Sequence, residues 1–177
     1  MIKRKIYLSL CLFLTITLLS SCRDHPTTIK FPEGLEELRI GENSKPLCLE
    51  CPKKFVGYLD LTQRDLFFLE MNSKGWIDLK FNYPELEVIW VFAGKNQRID
   101  KSDLVRMLDD MGYPYSVFYD KKNKFYEMNQ LDKIPYEVKA IQSYFVDGED
   151  VIINAESGIP SLFKKQVIDF LEYEKSE

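Results

Sequence analysis

The chain has 177 residues, and its 24 Lys and Arg against 28 Asp and Glu give a formal charge of −4 at pH 7. A net acidic chain has no electrostatic footprint for nucleic acid, so no nucleic-acid partner is expected. One His and four Cys leave too few ligands for a metal centre, and no phosphate-loop or serine–histidine pattern is present, so no metal and no cofactor are expected.

The chain opens on a positive end, Lys3, Arg4 and Lys5, followed by Ile6 to Leu19, which is apolar apart from Ser9, Thr15 and Thr17. That run spans about 14 residues, or roughly 21 Å as a helix. A bilayer core of about 30 Å is wider, so the segment suits a secretory signal better than a permanent span. Leu19-Ser20-Ser21-Cys22 comes next and resembles the lipobox of bacterial lipoproteins. The resemblance implies a signal peptide over residues 1–21, cleavage before Cys22, and lipidation of that thiol with diacylglyceryl and palmitate-type chains. It further implies an exported, lipid-anchored protein of the cell envelope, facing the periplasm or the exterior. Two or more acyl chains give stable anchoring, so the membrane is one expected partner. Cys11 leaves with the signal, and loss of three basic residues brings the mature charge near −7. The roughly 156 residues that remain have room for one domain with a core, and 14% aromatic residues argue for a packed core over disorder.

Residues 22–40 read as lipidated cysteine and tether, with Pro26, Thr27, Thr28 and Pro32 in a polar stretch. The domain is expected over 41–177. Residues 41–54 are rich in turns and lysines and enclose Cys48-Leu49-Glu50-Cys51-Pro52. In an exported compartment this pair can persist as a disulfide. It is either a redox pair or a short structural disulfide, and without a helix behind it the structural state is the expected one.

Beyond residue 54 the hydrophobic pattern becomes regular. Phe55 to Leu61 reads as a strand, and Thr62 as the cap of a helix from about Gln63 to Glu70, broken near Asn72–Gly75 and resuming at Trp76 to Phe81. Leu86 to Ala93 is a continuous apolar run that suits a strand covered on both faces. Asp100 precedes the helical stripe Leu104, Val105, Leu108, Met111, which Gly112 ends. Tyr115 to Tyr119 is a further strand. Asn123 to Leu131 reads as a helix with Phe125, Met128 and Leu131 inward. Gln142–Val146 and Val151–Asn154 flank Asp147-Gly148 as a hairpin, and Pro160 opens a last helix with Leu162, Phe163, Val167, Phe170 and Leu171 on its apolar face. Trp76 and Trp90 read as core, Asp60 and Asp65 as a carboxylate pair on a solvated surface, and Lys121-Lys122-Asn123-Lys124 as a solvated turn.

Alternating strands and helices with a terminal hairpin predict an α/β fold: a three-layer sandwich around a mixed sheet of about five strands, helices on both faces. Tyr113-Pro-Tyr-Ser-Val-Phe-Tyr-Asp120 with Asn123-Lys-Phe-Tyr-Glu-Met-Asn129, and Tyr144-Phe-Val-Asp147 with Val151-Ile-Ile153, resemble the peroxiredoxin and cytochrome-biogenesis branch of the thioredoxin-like proteins, small Bacteroidetes lipoproteins among them. That resemblance implies a Cys-x-x-Cys at a helix N-terminus just after the first core strand, where the helix dipole lowers a thiol pKa. If Phe55 to Leu61 is that strand, Thr62, Gln63, Arg64 and Asp65 hold those places. The family's cis-proline position falls in Ile141-Gln142-Ser143. An alternative register makes Leu35 to Ile40 the first strand and puts Cys48 on the loop after it. The expectation is therefore a thioredoxin-like domain that lacks the standard redox site and binds an envelope protein, a peptide or a small ligand. The alternative is a thiol–disulfide oxidoreductase with Cys48 as nucleophile and Cys51 as resolving thiol.

Overall fold

A computed structural model describes residues 27–42, 44–94, 99–134, 136–155 and 160–173. The expected signal peptide, Cys22 as the expected lipidation site, and His25 lie outside the described residues. In chain order the elements are β1 (Glu36–Leu38), β2 (Lys53–Asp60), α1 (Phe67–Met71), α2 (Ser73–Asn82), β3 (Glu87–Ala93), α3 (Lys101–Asp110), β4 (Val117–Asp120), α4 (Lys124–Met128), a 3-10 turn (Leu131–Lys133), β5 (Ile141–Asp147), β6 (Asp150–Asn154) and α5 (Pro160–Leu171).

The strands form one sheet in the order β1-β4-β3-β2-β5-β6. β2, β3 and β4 run parallel, β5 is antiparallel to β2, β6 to β5, and β1 to β4. The two apolar runs of the sequence, β2 and β3, are central, and residues of each are buried on both faces. Alternation along them divides the core. Phe55, Leu59, Val88, Trp90 and Phe92 pack with Leu69, Trp76, Leu79, Leu104, Leu108, Val167 and Phe170 from α1, α2, α3 and α5. Val56, Tyr58, Ile89, Val91 and Ala93 pack on the other side with Ile29, Phe125, Leu131 and Ile134. Trp76 and Trp90 meet edge to face in the first of these layers.

Four expectations change. The sheet has six strands rather than about five, because Glu36–Leu38 pairs with Tyr119, Phe118 and Val117. The stretch expected as tether is part of the fold from Thr27 onward: Thr28 bridges Asp150, and Ile29, Leu38 and Ile40 are buried. The first helix starts at Phe67, not Gln63, because Thr62 and Gln63 turn back onto Asp60. The helix of Asn123 to Leu131 is split. Asn129 gives its amide to the Phe125 and Lys30 carbonyls, Gln130 takes a left-handed conformation (φ +48°), and Met128 is left 51% exposed while Phe125 and Leu131 are buried. In α5, Leu162 is exposed, at 39%, while Val167 and Phe170 on the expected apolar face are buried. The helix capped by Asp100 forms as read, with Asp103 N–H donating to Asp100 Oδ1 at 2.8 Å in a capping box.

Candidate functional site

β2, β3 and β4 end together at Asp60, Ala93 and Asp120, at the carboxyl edge of the parallel strands, where ligands of open α/β sheets bind. Asp60 is nearly buried, and its carboxylate is fully engaged. Oδ1 accepts from Thr62 N–H (2.8 Å) and Thr62 Oγ1 (2.6 Å), and Oδ2 accepts from Gln63 Nε2 (2.7 Å). The Gln63 and Arg64 amides donate to the Asp60 carbonyl, so the chain after β2 is a closed turn built on one residue. Gly94, at φ +80°, lets this turn approach, since a Cβ there would lie 2.7 Å from Thr62 Cγ2. Asp120 plays the same part after β4, its Oδ2 accepting from Phe125 N–H at 2.7 Å. Tyr58 Oη donates to Asn123 Oδ1 (3.0 Å) and Tyr144 Oη to Gln142 Oε1. Burial first, and the Asp60 carboxylate second, hold the Tyr58 phenol well above its ordinary pKa. The two carboxylates thus fix backbone turns instead of standing free as an acid–base pair. Asp65, expected beside Asp60, caps the Phe67 amide on the exposed side (3.1 Å).

Cys48 and Cys51 form a disulfide with Cα atoms 5.4 Å apart. The loop that carries them leads into the amino end of β2, with a turn at Leu49–Glu50 between them and a strand, not a helix, after them. It is pinned at several points. Cys48 N–H donates to Glu87 Oε1 (3.0 Å), Leu47 N–H to Glu37 Oε1 (3.2 Å), Ser116 Oγ to the Lys45 carbonyl (2.6 Å) and Gly148 N–H to the Pro52 carbonyl (2.8 Å). Lys54, only 3% exposed, gives its ammonium to the Cys51 carbonyl at 2.5 Å. Burial lowers the Lys54 pKa and raises that of Glu87, each against the pull of the other's charge. Cys48 thus has the Glu87 carboxylate beside it and Cys51 the Lys54 ammonium, and neither cysteine stands at a helix N-terminus. Lys54 also lines an open groove of about 460 Å³ with Ile29, Phe31, Leu49 and Met128.

No protein-family model and no curated protein sequence matches the chain. Solved structures do. A thioredoxin-like protein in the oxidised form aligns over 85% of this chain and 97% of its own at 15% identity and a TM-score of 0.56. The fold is thioredoxin-like. A protein assigned as the thiol:disulfide interchange protein DsbE of Chlorobium tepidum matches over 84% of this chain and 99% of its own (10% identity, TM-score 0.54). A secreted Mycobacterium tuberculosis disulfide oxidoreductase homologous to E. coli DsbE matches over 68% and 84% (7% identity, TM-score 0.50).

In this thioredoxin-like sheet β2 is the first parallel core strand, so Thr62, Gln63, Arg64 and Asp65 occupy the turn that the resemblance assigns to the redox pair. The cysteines lie at the other end of the same strand, about 23 Å away at roughly 3.3 Å per residue. The register that starts at Leu35 captures β1, but β1 is the edge strand of the sheet and carries no core position for the site. Sequence reasoning missed Lys54 and Glu87. The signal was a lysine and a glutamate each opening an apolar strand, and in register they stand side by side.

Proposed function

We propose that this chain is a membrane-anchored cell-envelope lipoprotein whose thioredoxin-like domain serves as a binding or accessory protein, with Cys48–Cys51 as a structural disulfide. The observation that carries this reading is the placement of the two sites. The turn after β2 is closed on Asp60 and has no thiol, while the cysteines are held at the opposite end of the strand by Glu87 and Lys54. The loop has no helix N-terminus behind it, and the Glu87 carboxylate lies beside Cys48, so the arrangement that activates a Cys-x-x-Cys in the resembled family is not the one held here. The export signal and the Leu19-Ser20-Ser21-Cys22 motif support the anchor and the envelope location.

A thiol–disulfide oxidoreductase is the second reading, favoured by the activity named for the similar structures and by the half-exposed position of both cysteines. In that reading the Cys48 thiolate attacks a substrate disulfide and expels one substrate thiolate. Cys51 then displaces the second and re-forms Cys48–Cys51. Insulin reduction and the reduction potential of residues 23–177, beside a Cys48→Ser variant, separate the two. We expect neither protein to turn over insulin. Turnover by the wild type and none by the variant would make the pair the active site and end the accessory reading.

A further inference from the structure

The described part of the chain begins at Thr27, five residues after Cys22. Val151 N–H donates to the Thr27 carbonyl (2.7 Å) and Ile29 N–H to the Glu149 carbonyl (2.8 Å), so residues 27–29 lie along the outer edge of β6. Ile29 is buried, and Asn129 clamps Lys30 from both sides, accepting its N–H at 2.7 Å and donating to its carbonyl at 2.8 Å. Phe31 packs against Phe118 and Phe125. Only Arg23 to Pro26 separates this locked segment from Cys22. Five residue steps reach at most about 18 Å even when fully extended.

We propose that the β6 edge of the domain, with Ile153 43% exposed on it, rests against the surface of the anchoring membrane, and that the β1 edge is the one presented away from it. The inference rests on the lipid anchor proposed above. Its second support is the width of the sheet: six strands at about 4.8 Å spacing place the β1 edge roughly 24 Å from β6, beyond the reach of the leash. An exposed isoleucine between the half-buried Ile152 and Asn154 suits the headgroup boundary.

The test uses the full, lipidated chain in phosphatidylethanolamine–phosphatidylglycerol vesicles, with one environment-sensitive label per variant at Ile153→Cys, Glu149→Cys or Arg39→Cys. Acylation of the Cys22 peptide is checked by mass. We expect a headgroup-level quencher to remove fluorescence at 153 and 149 and spare it at 39. A flexible Gly–Ser insert of twenty residues between Pro26 and Thr27 is expected to abolish the difference, its mean reach of about 25 Å freeing the domain. Equal quenching at 153, 149 and 39 in an acylated, vesicle-bound chain overturns the orientation and leaves the anchor standing. An unacylated chain that stays in solution overturns both.

Discussion

Lys54 and Glu87 are neighbours across the β2–β3 pair, yet each turns to the cysteine loop, one to the Cys51 carbonyl and the other to the Cys48 amide. Both pay a desolvation cost, which is why the ammonium is easier to deprotonate and the carboxyl easier to protonate than usual. The sign of the resulting pH dependence follows for Glu87. Its pKa in the folded chain lies above the ordinary 4.5, so its contribution to stability is full below 4.5 and is lost as pH rises through the raised value. Glu87→Gln keeps a carbonyl for the Cys48 amide and removes the titration. Relative to the wild type, the variant should gain stability as pH climbs from well below 4.5 to neutrality. Urea midpoints of both proteins at the two ends of that range check it, and a constant difference would show that Glu87 does not titrate differently on folding. The only sequence signal was a lysine and a glutamate each opening an apolar strand, and such strand starts look equally like solvated ends.

At the scale of elements, β2 depends on one residue without a side chain. Gly57 lies flat beneath the Trp90 indole, and a Cβ there would overlap the ring. Gly57→Ala should cost about 1–3 kcal/mol by overpacking, read as a lower urea midpoint with an unchanged slope. Apolar runs and stripes located β2, β3, α3 and β5 because their burial follows from their own residues, and the Asp147-Gly148 turn placed the half-exposed β6 beside β5. Helix starts were harder to place. Thr62 is a good capping residue by type, but Asp60 binds both its amide and its hydroxyl and delays the helix to Phe67. Met128 has helical spacing from Phe125, yet Asn129 and the left-handed Gln130 end the helix before Met128 can be covered. That residues 62–65, in the turn after β2, carry no cysteine was legible, since it needed only their identity and the location of one strand.

For the whole molecule, the alternation of strands and helices was enough for the architecture. The N-terminal segment was not, because its burial is decided by residues far along the chain. Thr28 meets Asp150, and Lys30 meets Asn129 across 99 positions. A polar stretch with two prolines has no local pattern that announces such partners. Asn129→Ala tests how firmly the segment is held. It leaves the Lys30 amide and carbonyl without their partner and should cost about 1–3 kcal/mol. Faster amide hydrogen exchange at residues 29–31 than in β2 would accompany the loss. Unchanged exchange there would mean that the β6 pairing and the Phe31 contacts suffice to hold the segment.

The clamp on Lys30 also sets an order in time. Asn129, Phe118, Phe125 and Glu149 must all have emerged before residues 27–31 have anything to dock against. During synthesis the earliest described segment of the domain therefore waits, unpaired, until residue 149 has been made, and it docks only when most of the sheet is present.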